Sequence, residues 1–187
     1  GTTMQITQER AAPVFGNGER ANKLKSTRFG SKLVNDYWSG VFAAKEQGKK
    51  VVWYNGTYIP PFFHSHDLVW VHGEAWSAML AARHQEVTAQ ARGDEKGYDR
   101  ELCSYARTHI GQILIELDKV KAGTSDMQPD DPRVELMMKL PQPDMIINAY
   151  PYCSTGQQWD DITYRVFGKK VPMMTISIPL LWGGRND

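Results

Sequence analysis

Two cysteines are the residues of this chain best suited to inorganic chemistry. Cys103 stands in Glu101-Leu102-Cys103-Ser104-Tyr105-Ala106-Arg107 and Cys153 in Pro151-Tyr152-Cys153-Ser154-Thr155, and the chain has no other cysteine. Each comes just before a stretch patterned as a helix. A helix N-terminus presents unpaired N–H groups and partial positive charge, which favour the thiolate, the form that binds a metal or cluster. The ordinary alternative is a buried packing cysteine. No Cys-x-x-Cys occurs, so neither a zinc ribbon nor a small ferredoxin is encoded. Two thiols fifty positions apart cannot hold a four-ligand cluster alone, and further ligands must come from elsewhere.

His64-Ser65-His66, with His72, forms a second constellation. On a strand, residues i and i+2 share a face, so two imidazoles could converge on a metal. Pro60-Pro61 instead point to a turn, and no His-Glu-x-x-His is present. Ordinary hydrogen bonding, or lining a substrate pocket, is the favoured role. Glu74 sits at a strand-to-helix junction, where it serves either the helix N-terminus or the rim of an active site. His64, His66 and Glu74 are therefore the remaining candidates for catalytic groups. Trp53, Trp70, Trp76 and Trp159 are core residues by default, yet six tryptophans leave room for a flat apolar pocket suited to an aromatic acyl group. Gly-x-Gly-x-x-Gly, Gly-x-x-x-x-Gly-Lys-Ser/Thr and Gly-x-Ser-x-Gly are all absent. An unaided kinase, dinucleotide enzyme or serine hydrolase is not expected.

The elements that must position these groups are legible in outline. After Cys103, the residues Ala106, Ile110, Ile113, Leu114, Leu117 and Val120 recur at helical spacing, with Arg107, Gln112, Glu116 and Lys119 between them. Before Cys153, the apolar run 145–150 reads as a buried strand. After it, Thr155-Gly156-Gln157-Gln158 has the form of a capping box, predicting a helix over 155–167. Upstream, a helix is predicted over 31–47 with Gly48 as its stop, then a strand over 51–54 closed by Asn55-Gly56. Pro60-Pro61 open a helical turn. A strand over 67–71 precedes an Ala-rich helix from 74 to about 92, ended by Gly93-Asp94. Residues 123–140 read as a loop with one helical turn, and 171–178 as a last strand. Strand and helix in alternation predict an α/β fold, a mostly parallel sheet with helices on both faces, Rossmann- or flavodoxin-like. Ligands of such sheets sit beyond the carboxyl ends of the strands.

At 187 residues the chain suits one domain with an appendage: an N-terminal arm and helix over 1–48, then an α/β domain over 49–187. The polar, Gly-rich arm is expected to dock on something else, such as a partner subunit. Lys plus Arg number 22 against 21 acids, so charge offers nucleic acid no attraction. The apolar stretch 171–182 is broken by Pro172 and Pro179 and is too short to insert in a membrane. With no secretory apolar core near the N-terminus, a cytoplasmic location is expected, and Asn55-Gly56-Thr57 reads as a turn rather than a glycosylation site.

Glu101-Leu102-Cys103-Ser104-Tyr105-Ala106-Arg107, then Pro141-Gln142-Pro143-Asp144-Met145, then Cys153 with Trp159 downstream, then Val171-Pro172 and Ile178-Pro179 form an ordered set over about 49–182. This set resembles the benzoyl-CoA reductase and 2-hydroxyacyl-CoA dehydratase family, and is most like the B-type subunit of ATP-dependent benzoyl-CoA reductase. The resemblance implies one domain of a two-domain subunit that holds a 4Fe–4S cluster through three cysteines, Cys103 and Cys153 being the first two. The third would belong to a second domain, so a truncated or split polypeptide is expected. It further implies a homologous cluster-bearing partner subunit and an ATP-hydrolysing activator that supplies low-potential electrons. The substrate would be a CoA thioester, whose carbonyl becomes a ketyl radical anion. An aromatic acyl-CoA such as benzoyl-CoA is the leading expectation, with 2-hydroxyacyl-CoA dehydration as the close rival. An electron-carrying or scaffolding subunit without its own substrate site is a third.

Overall fold

The computed structural model describes residues 24–56, 60–122, 136–149 and 153–176. The arm over 1–23, most of the loop over 123–140 and the chain beyond 176 lie outside the described residues. Four strands, β1 (Val51–Gly56), β2 (Val69–His72), β3 (Met145–Ala149) and β4 (Met173–Thr175), form one sheet in the order β2-β1-β3-β4. Every pairing is parallel, with Tyr54 opposite both His72 and Ile147, and Asn148 opposite Thr175. The expected α/β fold is thus present.

Alternation along β1 assigns its two faces. Val51 and Trp53 enter one core cluster with Val71, Trp76, Leu80 and Ile113, whereas Val52 and Tyr54 join Phe63, Ile147 and Ala149. The first cluster is covered by α1 (Lys25–Ala43), α3 (Gly73–Ala82), α4 (Glu86–Glu95) and α5 (Ser104–Ala122). On the second face, α2 (Pro60–Ser65) buries Phe63. Helix α6 (Ser154–Val166) packs Trp159 against Ala106 and Ile110 of α5. Trp38, Val41 and Ala44 of the α1 segment lie in the same core as Val51 and Trp53, while Phe29, Leu33 and Val34 stay exposed.

Several boundaries differ from expectation, each for a local reason. The Ala-rich helix expected over 74–92 is two helices. At the break, Gln85 N–H bonds to Leu80 O and His84 N–H to Ala81 O, a Schellman stop with His84 at φ 56 in the position that glycine usually takes. The stop of α4 is Gly97 (φ 88) rather than Gly93, which is buried inside the helix. Helix α1 starts earlier than expected and ends at Ala43 rather than at Gly48, which at φ 69 closes the turn that follows it. The capping box at Thr155 does not form: Cys153 is the N-cap of α6 and makes no side-chain cap bond. Helix α5 is not simply amphipathic, because Arg107, Gln112 and Glu116 are buried with its apolar residues. Arg107 donates to Gln90 Oε1 at 2.8 Å across the α4–α5 contact. That contact is close because residue 111 is glycine: a Cβ there would stand 1.8 Å from Ala89 O.

At the amino end of the sheet, Asp144 ties the start of β1 to the turn that follows α1. It accepts from Lys45 Nζ at 2.5 Å and from Val51 N–H at 2.8 Å. Burial raises its carboxyl, but these bonds prevail and hold it below the usual carboxylate range.

Candidate functional site

From β1 the chain crosses to β2 on one side and later to β3 and β4 on the other. The topological switch therefore falls between β1 and β3, at the carboxyl ends marked by Asn55-Gly56 and Ala149. Cys153 follows β3 at this edge. Its carbonyl accepts the first helical bond of α6, from Gln157 N–H at 3.2 Å, and its thiol is exposed. Cys103 stands in the same relation to α5: its carbonyl accepts from Arg107 N–H at 3.0 Å and its thiol is exposed. Neither is the buried packing cysteine that composition alone favours.

The two helices meet six residues, under two turns, below their cysteines. Trp159 Nε1 donates to His109 Nδ1 at 3.1 Å, both residues being buried. His109 also lies 4.8 Å from the Trp53 ring. Further along α5, Ile113 and Ile115 join Val51 and Val71 in the core. Both helices thus lead away from the carboxyl edge, each with a cysteine at its mouth. Gly73 opens α3 at this junction. A Cβ on it would stand 2.2 Å from Asn55 Oδ1, 2.9 Å from the Trp159 ring and 3.0 Å from His109 Nδ1, so only glycine fits.

Beneath the edge lies a polar group that sequence reasoning missed. Asn55 is expected in a turn; it is instead a β1 residue, 2 % exposed, because alternation turns its side chain toward α6. Its Nδ2 donates to Asp160 Oδ1 at 2.7 Å, and Asp160 is equally buried. Burial raises the Asp160 carboxyl well above the usual range, against the opposing Asn55 bond. Burial also drives His109 down to about 3, with His72 adding to the effect, so the ring is neutral. Since Nδ1 accepts from Trp159, Nε2 carries the proton. Among the described residues, His109 Nε2, Asn55 Oδ1 and Asp160 Oδ2 have no hydrogen-bond partner. Nothing in one-dimensional patterning marks these residues, whose partners lie 50 and 105 positions away.

The other candidates divide between the two ends of the sheet. Glu74 is in the first turn of α3, at the carboxyl edge, and its charge partly offsets the lowering of His72 by burial. His64 and His66 stand before the start of β2, at the amino end, apart from both His72 and the cysteines. His64 packs on the Trp70 ring at 4.6 Å, and His66 Nδ1 is 2.9 Å from Phe62 O. A cleft beside His64, lined also by Tyr37, Lys49 and Asp67, holds about 240 Å³, below the usual size of a small-molecule site. Trp53, Trp76 and Trp159 fill the core rather than line a flat pocket.

Among the described residues no three His, Cys, Asp or Glu side chains gather where they could hold a metal ion. Cys103 and Cys153 are free and exposed at the mouths of α5 and α6, two helices that pack on each other. No described helix is long and apolar enough to cross a membrane.

No family model matches the chain. It is similar to the alpha subunit of (R)-2-hydroxyisocaproyl-CoA dehydratase from Clostridioides difficile, at 25 % identity over 127 residues, 68 % of this chain and 27 % of that protein. It is likewise similar to lactoyl-CoA dehydratase subunit alpha from Anaerotignum propionicum, at 25 % over 138 residues, 73 % of this chain and 31 % of that subunit. The chain thus spans under a third of the length of these curated relatives. Both are dehydratase subunits, which favours the dehydratase alternative over closeness to benzoyl-CoA reductase.

Proposed function

We propose that this chain is a cluster-holding domain of a 2-hydroxyacyl-CoA dehydratase of the alpha-subunit type. Cys103 and Cys153 would give two thiolate ligands to a 4Fe–4S cluster. The remaining protein ligand would come from the part of the relatives' length that this chain does not span. What carries the reading is that both cysteines open neighbouring helices at one edge of the sheet, in a chain similar to two dehydratase alpha subunits. When bound, the cluster would supply low-potential electron chemistry at the carbonyl of a CoA thioester.

The chain's own residues would hold and dry that site. The first-turn N–H groups of α5 and α6 favour anionic sulfur. Trp159, Ile110 and Ala106 pack into a buried apolar floor below the cysteines. Glu74 would be a polar group on the rim, whereas His64 and His66, at the far end of the sheet, would have no part in the chemistry. A homologous partner subunit and an ATP-hydrolysing activator would complete the assembly. Because the similar proteins are both dehydratase subunits, a 2-hydroxyacyl-CoA is the preferred substrate class.

The test is anaerobic production with partner subunits and activator, followed by iron and sulfide analysis. Turnover of a 2-hydroxyacyl-CoA and of benzoyl-CoA would then be assayed side by side. Bound cluster and release of the 2-enoyl thioester are expected. Iron-free complex, or turnover of benzoyl-CoA alone, would overturn the reading.

A further inference from the structure

Each cysteine sits at the N-cap of its helix, and the buried hydrogen bond that joins the two helices falls six residues after each: Cys103 to His109 and Cys153 to Trp159. At 1.5 Å per residue, both cysteines lie about 9 Å along their helices from that single contact. A slip of one helix along the other would move one sulfur relative to its neighbour by the same amount. The aliphatic contacts of Ala106, Ile110 and Ile162 have no preferred direction and can repack after such a slip. A directional bond resists it more strongly, because N–H···N geometry weakens steeply off axis.

We propose that the hydrogen bond from Trp159 Nε1 to His109 Nδ1 is a latch that sets the register of α5 against α6, and so the separation of Cys103 from Cys153. The surroundings suit such a role. Gly73 lets β1, α3, α5 and α6 converge on the bond, and Asn55 anchors the next residue of α6, Asp160, to the sheet. The bond needs a neutral imidazole with its lone pair on Nδ1, and the buried ring stays neutral across the physiological range. His109 and Trp159 are therefore positioning residues, acting through the cysteines and touching no substrate. The inference rests on the proposed pairing of the two thiols at one cluster.

Because the chain has only two cysteines, their separation can be read directly. The full cluster-free chain, with both thiols reduced, is treated with a short rigid bismaleimide, and the internally bridged product is measured by peptide mass spectrometry. The wild-type chain is expected to bridge Cys103 to Cys153. Trp159→Phe keeps the ring and removes the donor; its bridged yield is expected to fall at least threefold, with unchanged alkylation rate at each thiol and unchanged circular dichroism. His109→Leu is expected to behave likewise. His109→Asn, whose amide oxygen can accept near the Nδ1 position, should recover most of the yield. Bridging of Trp159→Phe or His109→Leu as efficient as wild type would overturn the latch, as would failure of the wild type to bridge. Cluster assembly with partner subunits is scored separately. A latch that holds without bound iron sinks the pairing at a cluster alone, and iron binding without a latch sinks only the latch.

Discussion

Asp160 and His109 carry opposite pH signatures, although both shifts come mainly from burial. The folded Asp160 carboxyl is raised, so its contribution to stability is whole below its ordinary value of 3.8 and is lost as pH rises through the folded value. His109 is lowered from 6.5 to about 3; its contribution is whole above 6.5 and is lost as pH falls toward 3. Between 3.8 and 6.5 the two slopes oppose one another. Asp160→Asn removes one of them while keeping an acceptor for Asn55. The variant is expected to match wild type near pH 4 and to gain in melting temperature over wild type as pH rises toward 8. A constant difference across that range would show that Asp160 does not titrate as described. Losing the Trp159 donor leaves His109 Nδ1 buried and unpaired, so Trp159→Phe should cost about 1–3 kcal/mol in urea melts.

Among the elements, glycine positions decide how closely the helices approach. Gly73→Ala would drive a methyl into Asn55, Trp159 and His109 together, and a loss of about 1–3 kcal/mol is expected. Gly111→Ala meets the Ala89 backbone, which cannot swing aside, so the α4–α5 pair must separate and the loss should be larger. His84 presents the reverse case. It closes α3 at φ 56, where a β-carbon is strained, so His84→Gly should raise stability by about 0.5–1 kcal/mol in the same melts. A drop instead would mean that the His84 side chain holds the α3–α4 corner. The expectation of one long helix failed at this corner because a Schellman stop needs only a backbone conformation. Histidine can adopt it at a cost that local propensity does not reveal.

For the molecule as a whole, the switch between β1 and β3 gathers Asn55, Cys153 and, through α3 and α5, Glu74, His109 and Cys103 at one edge. A domain offering two thiols there should hold iron poorly alone. On the proposed function, chemical reconstitution of the isolated chain is expected to give well under one cluster per chain, rising to near one when partner subunits and a third thiolate ligand are supplied. Cys103→Ser and Cys153→Ser should each abolish that iron while leaving melting temperature almost unchanged, because both side chains are exposed. A stable full cluster on the isolated chain would mean that a third ligand lies within it.

The sequence by itself determined the alternation of strand and helix, the parallel sheet, and the setting of each cysteine at a helix mouth. These follow from periodicities of two and 3.6 residues and from local stop signals, all legible over short windows. It also carried the likeness to 2-hydroxyacyl-CoA dehydratase subunits. Only the tertiary structure decided that His64 and His66 stand away from the cysteines, that Asn55 is buried, and that His109 meets Trp159. Those outcomes depend on strand order and on contacts between residues far apart in the chain, for which local patterning has no signal. A buried polar side chain and an exposed one read alike until the partner that satisfies it, or fails to, has been brought alongside.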